Sequence, residues 1–141
     1  MAANKFENIK IGDSCSIQKM ITDEMIKAFA CFSGDYNPVH MDEAYCKGHG
    51  LEGRIAHGII SLSFLSALIG MHLPGEGAVW LSQSIDFISP VYIGDTIEIN
   101  AAVTEKNINS SLKLDIITMK ITITNQIGRK VVRGSVKVLV K

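Results

Sequence analysis

Between Ile59 and Met71 the chain is apolar or small on every face that a helix would present, with Ile60, Leu62, Leu65, Leu68 and Ile69 spaced around Ser61, Ser63, Ser66, Ala67 and Gly70. A helix of this kind has no polar side to offer to water, so other elements must enclose it. The apolar run to Leu73 is roughly 15 residues long and contains three serines, short of the about 20 apolar residues that span a bilayer. It reads as a buried helix whose small residues let something pack closely. Everything after Pro74 reads as strand: Val79 to Ser89, Thr96 to Glu105, Leu112 to Ile123 and Val132 to Val140 alternate apolar with polar positions, and Pro90, Gly94-Asp95 and Gln126 to Gly128 mark turns. Long, mostly consecutive strands imply an antiparallel sheet. The expected architecture is α+β, a curved antiparallel sheet wrapped around one long central helix.

Upstream, Cys15 to Met20 predicts a first strand. Thr22 followed by Asp23 and Glu24 predicts an N-cap with acids in the first turn, and the helix it starts runs to about Phe32, with Gly34 placed to end it. Then comes Asp35-Tyr36-Asn37-Pro38-Val39-His40. Asn37-Pro38 cannot continue a helix, so the chain turns and brings a carboxylate and an imidazole together. Spacing alone leaves two readings open: an acid/base pair, or a turn-capping Asp beside a structural His. Met41 to Lys47 predicts one or two helical turns, and Gly48, Gly50 and Gly53 a flexible connection to His57-Gly58.

At 141 residues the chain is read as one domain, 1–141, without room for a separate cofactor module. Fourteen basic and fourteen acidic residues cancel, which argues against a nucleic-acid or anionic-membrane surface and points to a small-molecule partner. Cys15, Cys31 and Cys46 are odd in number and lack C-x-x-C spacing, so a reducing cytoplasm is expected. The N-terminus meets charge at Lys5 and has no apolar h-region, so no signal peptide is expected.

Asp35-Tyr36-Asn37-Pro38-Val39-His40 resembles the hydratase motif of the MaoC-like (R)-specific enoyl-CoA hydratases, the hydratase 2 family, throughout its length. Arg54-Ile55-Ala56-His57-Gly58, Leu73-Pro74-Gly75-Glu76-Gly77 and Pro90-Val91-Tyr92-Ile93-Gly94-Asp95 resemble the family's later landmarks in order. The resemblance covers most of the chain and implies a hot-dog fold and a coenzyme A thioester as substrate rather than as cofactor; no metal is expected, since no acidic or Cys cluster completes a shell around Asp35, His40 and His57. The resemblance also implies Asp35 and His40 as the catalytic pair, the Gly58 N–H as oxyanion donor, and Ser63 near the pair. A single-domain member is expected to work as a homodimer.

Hydration of a trans-2-enoyl thioester adds hydroxide at C3 and a proton at C2. Asp35 and His40 together can hold and deprotonate one water, and an opening helix end offers unpaired N–H groups and a positive dipole to the developing enolate oxygen. Addition of both groups from one face is syn, which fits the family's R product. Other roles are expected to be plainer. His57, at a helix N-terminus, is read as a hydrogen-bonded structural residue rather than as a base or as a partner of Asp35 and His40 at a metal. His49 and His72 are read as surface residues, and Met25, Met71, Met119, Phe64 and Trp80 as core or acyl-tunnel lining. Asn37 either bonds its own loop or touches the thioester, and Arg54 is solvated by default or meets coenzyme A phosphates. A serine in Ser63's setting ordinarily bonds its own helix. The competing functions are a hot-dog acyl-CoA thioesterase, which does not explain His40, an acyl-carrier-protein dehydratase, whose usual His/Glu pairing is not found, and a non-catalytic acyl-CoA binding subunit, against which the retained pair argues.

Overall fold

The computed structural model describes residues 5–109 and 111–141. The part of the signal-peptide reading that rests on Met1–Asn4 lies outside the described residues. A short 3-10 turn, Phe6–Asn8, precedes strand β1, Ser14–Met20, and helix α1, Asp23–Ser33. Thr22 caps α1 as expected: its hydroxyl accepts from the Met25 N–H at 3.3 Å. Gly34 stops the helix at φ 81°, a left-handed conformation that costs glycine nothing, and its N–H bonds the Ala30 carbonyl at 2.8 Å.

The turn after Asp35 is itself the start of a helix. Asn37 Oδ1 accepts from the Val39 N–H at 3.1 Å and Pro38 takes the first helical position of α2, Pro38–Met41, where its missing donor is not needed. The helical turns predicted from Met41 to Lys47 are split at Asp42, whose Oδ1 accepts from the Tyr45 N–H at 3.0 Å and starts α3, Glu43–Gly48. Helix α4 is Gly58–Met71, followed by β2, Val79–Phe87, β3, Thr96–Asn109, β4, Leu114–Thr124, and β5, Lys130–Leu139.

All neighbouring strands are antiparallel, in the order β1-β3-β4-β5-β2. One sheet face carries Ile97, Ile99 and Ala101 of β3, Ile117, Met119 and Ile121 of β4, and Val136 and Val138 of β5, all buried against Ile60, Leu65, Leu68 and Ile69 of α4. Strands β1 and β2 form opposite edges, yet α4 meets both. Four strand steps of about 4.8 Å would hold those edges about 19 Å apart in a flat sheet, so the sheet curls around the helix. This is the hot-dog arrangement.

The described residues do not enclose α4 completely. Ser63, Ser66 and Ala67 are exposed, and Ile59 and Met71 keep 53% and 57% of their surface. These positions follow one another at helical spacing down a single face. The expectation of Met71 in the core is therefore corrected, because the last turn of α4 points it along the uncovered strip. Met119 is buried, while Met25, Phe64 and Trp80 pack partly buried against the core. Cys15, Cys31 and Cys46 are free. Among the described residues no helix is long and apolar enough to cross a membrane.

Candidate active site

The loop leaving α1 is braced by its own short side chains. Ser33 Oγ donates to the Phe29 carbonyl at 2.6 Å and accepts from the Asp35 N–H at 3.1 Å, and Asp35 Oδ1 accepts from the Asn37 N–H at 3.1 Å. This fixes the carboxylate with Oδ2 turned towards His40, 3.9 Å from its Nε2. His40 is buried, with 9% of its surface left, while the Asp35 side chain keeps 48%. His40 Nδ1 lies 2.7 Å from the Ile55 carbonyl oxygen. A carbonyl only accepts, so Nδ1 carries the hydrogen and Nε2 presents a bare lone pair.

Two acceptors thus face each other across 3.9 Å, too far apart and of the wrong kind to bond directly. A water donating to both along legs of about 2.8 Å would subtend an angle of about 90°, close to its own geometry. The protonation state suits the task. Burial, the largest cause, pushes the His40 pKa below its ordinary 6.5, and neighbouring His57 adds to this, while the bond to Ile55 and the Asp35 carboxylate act in the opposite sense. His40 is neutral at neutral pH and able to take a proton.

His57 is buried, and its Nε2 lies 2.9 Å from the Asp35 carbonyl oxygen, which makes Nε2 the protonated nitrogen. Its ring stacks on His40 with centroids 3.8 Å apart and leans on Phe29 at 4.6 Å. This is the hydrogen-bonded structural role expected of it. Donor atoms of Asp35, His40 and His57 lie within 4.8 Å of one another, a spacing a divalent ion could bridge. One nitrogen of each ring is held by a backbone carbonyl, which leaves His40 Nε2 and His57 Nδ1 as the free ring nitrogens, the latter buried without a hydrogen-bond partner. The chemistry derived below uses no metal.

Gly58 opens α4. The Ile60 N–H already donates to the His57 carbonyl at 3.0 Å, which leaves the Gly58 and Ile59 N–H groups at the positive end of the helix. A cavity of about 450 Å³ lies beside them, lined by His40, Gly58, Ser61, Phe87 and Val91 among others. The glycine has a second cause in packing: a Cβ at position 58 would lie 2.7 Å from Phe87 Cε1.

A family model of the MaoC like domain matches residues 8–126. The chain belongs to the MaoC-like domain family. An (R)-specific enoyl-CoA hydratase of Rhodospirillum rubrum is 41% identical over 135 residues, spanning 96% of this chain and 90% of the relative. A 3-hydroxybutyryl-CoA dehydratase of Methylorubrum extorquens is 38% identical over 100 residues, spanning 71% of this chain and 64% of that one. Among solved structures, an (R)-hydratase from Aeromonas caviae involved in PHA biosynthesis superposes with a TM-score of 0.89 at 31% identity, covering 96% of this chain and 99% of its own.

Within this MaoC-like domain, Asp35 and His40 are brought together, and His40 lines the same cavity as Gly58. Asn37 is spent on capping α2, the plainer of its two expected uses. Ser63 is placed elsewhere: its hydroxyl donates to the Ile60 carbonyl at 2.6 Å, and it lines a separate groove with Ile59, Leu62, Ser66, Trp80 and Gln83. The serine of α4 that lines the cavity is Ser61, which is buried and lies on the opposite side of the helix from Ser63. Arg54 corrects its default reading as a solvated surface residue. Only 14% of its side chain is exposed, and it pairs with Asp23 at 2.8 Å. Pairing with buried backbone and a carboxylate, rather than hydration, is what that position demands. The stacked His40–His57 rings and the Phe87 wedge carried no local sequence signal beyond the His57-Gly58 dipeptide.

Proposed function

We propose that this protein is an (R)-specific enoyl-CoA hydratase, working in reverse as a 3-hydroxyacyl-CoA dehydratase, on short trans-2-enoyl-CoA substrates such as crotonyl-CoA. The observation that carries the reading is the pair of acceptors, Asp35 Oδ2 and the bare His40 Nε2, facing each other at 3.9 Å. That arrangement holds a water by both hydrogens and leaves its oxygen lone pairs free to attack. The water's proton passes to the pair as its oxygen bonds C3. The C2–C3 π electrons move onto the thioester oxygen, where the Gly58 N–H stabilises the enolate. Collapse of the enolate takes a proton from the pair at C2. Water is the only co-reactant, so the reaction needs no cofactor, and coenzyme A belongs to the substrate. Delivery of both groups from one side makes the addition syn.

The working form is a homodimer. Support comes from the uncovered strip of α4 and from edge strand β2, where Val79, Leu81 and Phe87 are exposed beside Ile59 and Ile88. An apolar edge strand of this kind invites pairing with a second copy. The free thiols of Cys15, Cys31 and Cys46 support a cytoplasmic setting.

The test is to incubate the purified protein with crotonyl-CoA, follow loss of the conjugated enoyl absorbance and determine the configuration of the product. Formation of (R)-3-hydroxybutyryl-CoA is expected. Release of free thiol would make the protein a thioesterase, and no turnover a binding subunit.

A further inference from the structure

The two members of the pair are gripped by their backbones as well as by their side chains, and both grips come from the segment that opens α4. Arg54 Nε–H donates to the His40 carbonyl at 2.6 Å, while its Nη1 lies 2.8 Å from Asp23 Oδ1, so the guanidinium ties the first turn of α1 to the His40 backbone. Ile55 adds a two-way exchange with the same loop: its N–H donates to the Val39 carbonyl at 3.0 Å, and its carbonyl accepts from His40 Nδ1–H at 2.7 Å. His57 Nε2–H then donates to the Asp35 carbonyl at 2.9 Å. The next residue is Gly58, which opens α4 and lines the cavity. One short segment therefore holds both ends of the Asp35–His40 loop and also carries the group aimed at the thioester oxygen.

Building on the hydratase reading, we propose that Arg54 and His57 are positioning residues that fix the Asp35/His40 pair relative to the Gly58 N–H. Arg54 and His57 are not among the residues that line the cavity, and each is bonded instead to the backbone of the Asp35–His40 loop. Both act through carbonyls of residues that do the chemistry. The loop they hold gains from such support, because Asp35, Tyr36, Asn37 and Pro38 are all exposed. A site of this kind tolerates only about 0.5 Å of play before its rate suffers. The two grips differ in kind. Arg54 offers a rigid fork that serves a carbonyl and a carboxylate at once, which a lysine cannot reproduce. His57 offers one donor and, through its stack on His40, one flat wall.

The substitutions follow from this division. Arg54→Lys keeps the charge for Asp23 but loses the fork. His57→Phe keeps a ring against His40 and Phe29 but deletes the donor, and His57→Gln keeps a donor but deletes the ring. Steady-state hydration of crotonyl-CoA is measured together with the melting temperature and the downfield Nδ1–H proton resonance of His40 in the substrate-free protein. Arg54→Lys and His57→Phe are each expected to lower kcat at least about tenfold with KM within about twofold, since misplacement acts on the transition state rather than on binding. The His40 resonance should shift or broaden in both, and His57→Gln should retain more of kcat than His57→Phe. Unchanged kcat in folded Arg54→Lys and His57→Phe, or a fall in melting temperature with kcat and the resonance intact, would overturn the proposal. Should His57→Phe not fold, Arg54→Lys and His57→Gln decide by the same readouts. The resonance needs no turnover: its loss in Arg54→Lys alongside a wild-type protein that fails to hydrate crotonyl-CoA would sink the hydratase reading and leave the positioning standing.

Discussion

Asp35 and His40 divide their work by environment. Asp35 is exposed and held by the Asn37 N–H, whereas His40 is buried and held by the Ile55 carbonyl in the tautomer that bares Nε2. Asp35→Asn and His40→Gln should each lower kcat at least about a hundredfold while leaving the fold intact, as measured by steady-state kinetics with circular dichroism; near-wild-type kcat in either would remove that residue from the chemistry. Because burial and His57 hold the His40 pKa below 6.5, its ring proton signals should titrate below that value, and lower still in Asp35→Asn, which removes an attractive charge. Stability follows the same group. Below pH 6.5 the unfolded chain takes up this proton before the folded one does, so stability falls as the solution is acidified through that window and is fully present above it. In His40→Gln that part of the acid loss, read by thermal melts across pH, should disappear. The pair itself was legible in the sequence, because Asn37-Pro38 forces a turn between its members. The tautomer was not, since it depends on a carbonyl from Ile55, remote in the chain.

At the level of elements, α4 and β2 meet at Gly58 and Phe87. The glycine can be explained by approach of the thioester or by the ring that fills the space a Cβ would need. The two causes separate experimentally. Gly58→Ala should reduce kcat and lower the melting temperature, and adding Phe87→Leu should recover the melting temperature without recovering kcat. Full recovery of both would make packing against Phe87 the whole reason for the glycine. The strands, the Thr22 cap and the Gly34 stop were readable because local rules decide them: alternation, a hydroxyl before two acids, a left-handed residue at a helix end. The faces of α4 were not readable. A helix apolar all round gives no phase, so nothing local distinguishes buried Ser61 from exposed Ser63, or places Met71 on the uncovered strip. Arg54 was misread for the same reason, because its partners Asp23 and the His40 carbonyl come from other elements.

For the whole molecule, the helix that most constrains the fold is only partly covered by the described residues, and the sheet ends in an exposed apolar edge. A second copy covering β2 and the strip from Ile59 to Met71 accounts for both. Light scattering on the purified protein should give a dimer, and Leu81→Glu on the exposed edge should shift it towards monomer with loss of activity; a fully active monomer would contradict the dimeric account. In the proposed reaction one water, held between Asp35 and His40, supplies both added groups to one face of the enoyl thioester. The most direct test is to hydrate crotonyl-CoA in deuterium oxide and determine the configuration at C2 and C3 of the product by NMR. The 3R alcohol is expected, with deuterium added at C2 on the same face as the oxygen; an S alcohol, or deuterium on the opposite face, would rule out delivery of both groups by a single shared water.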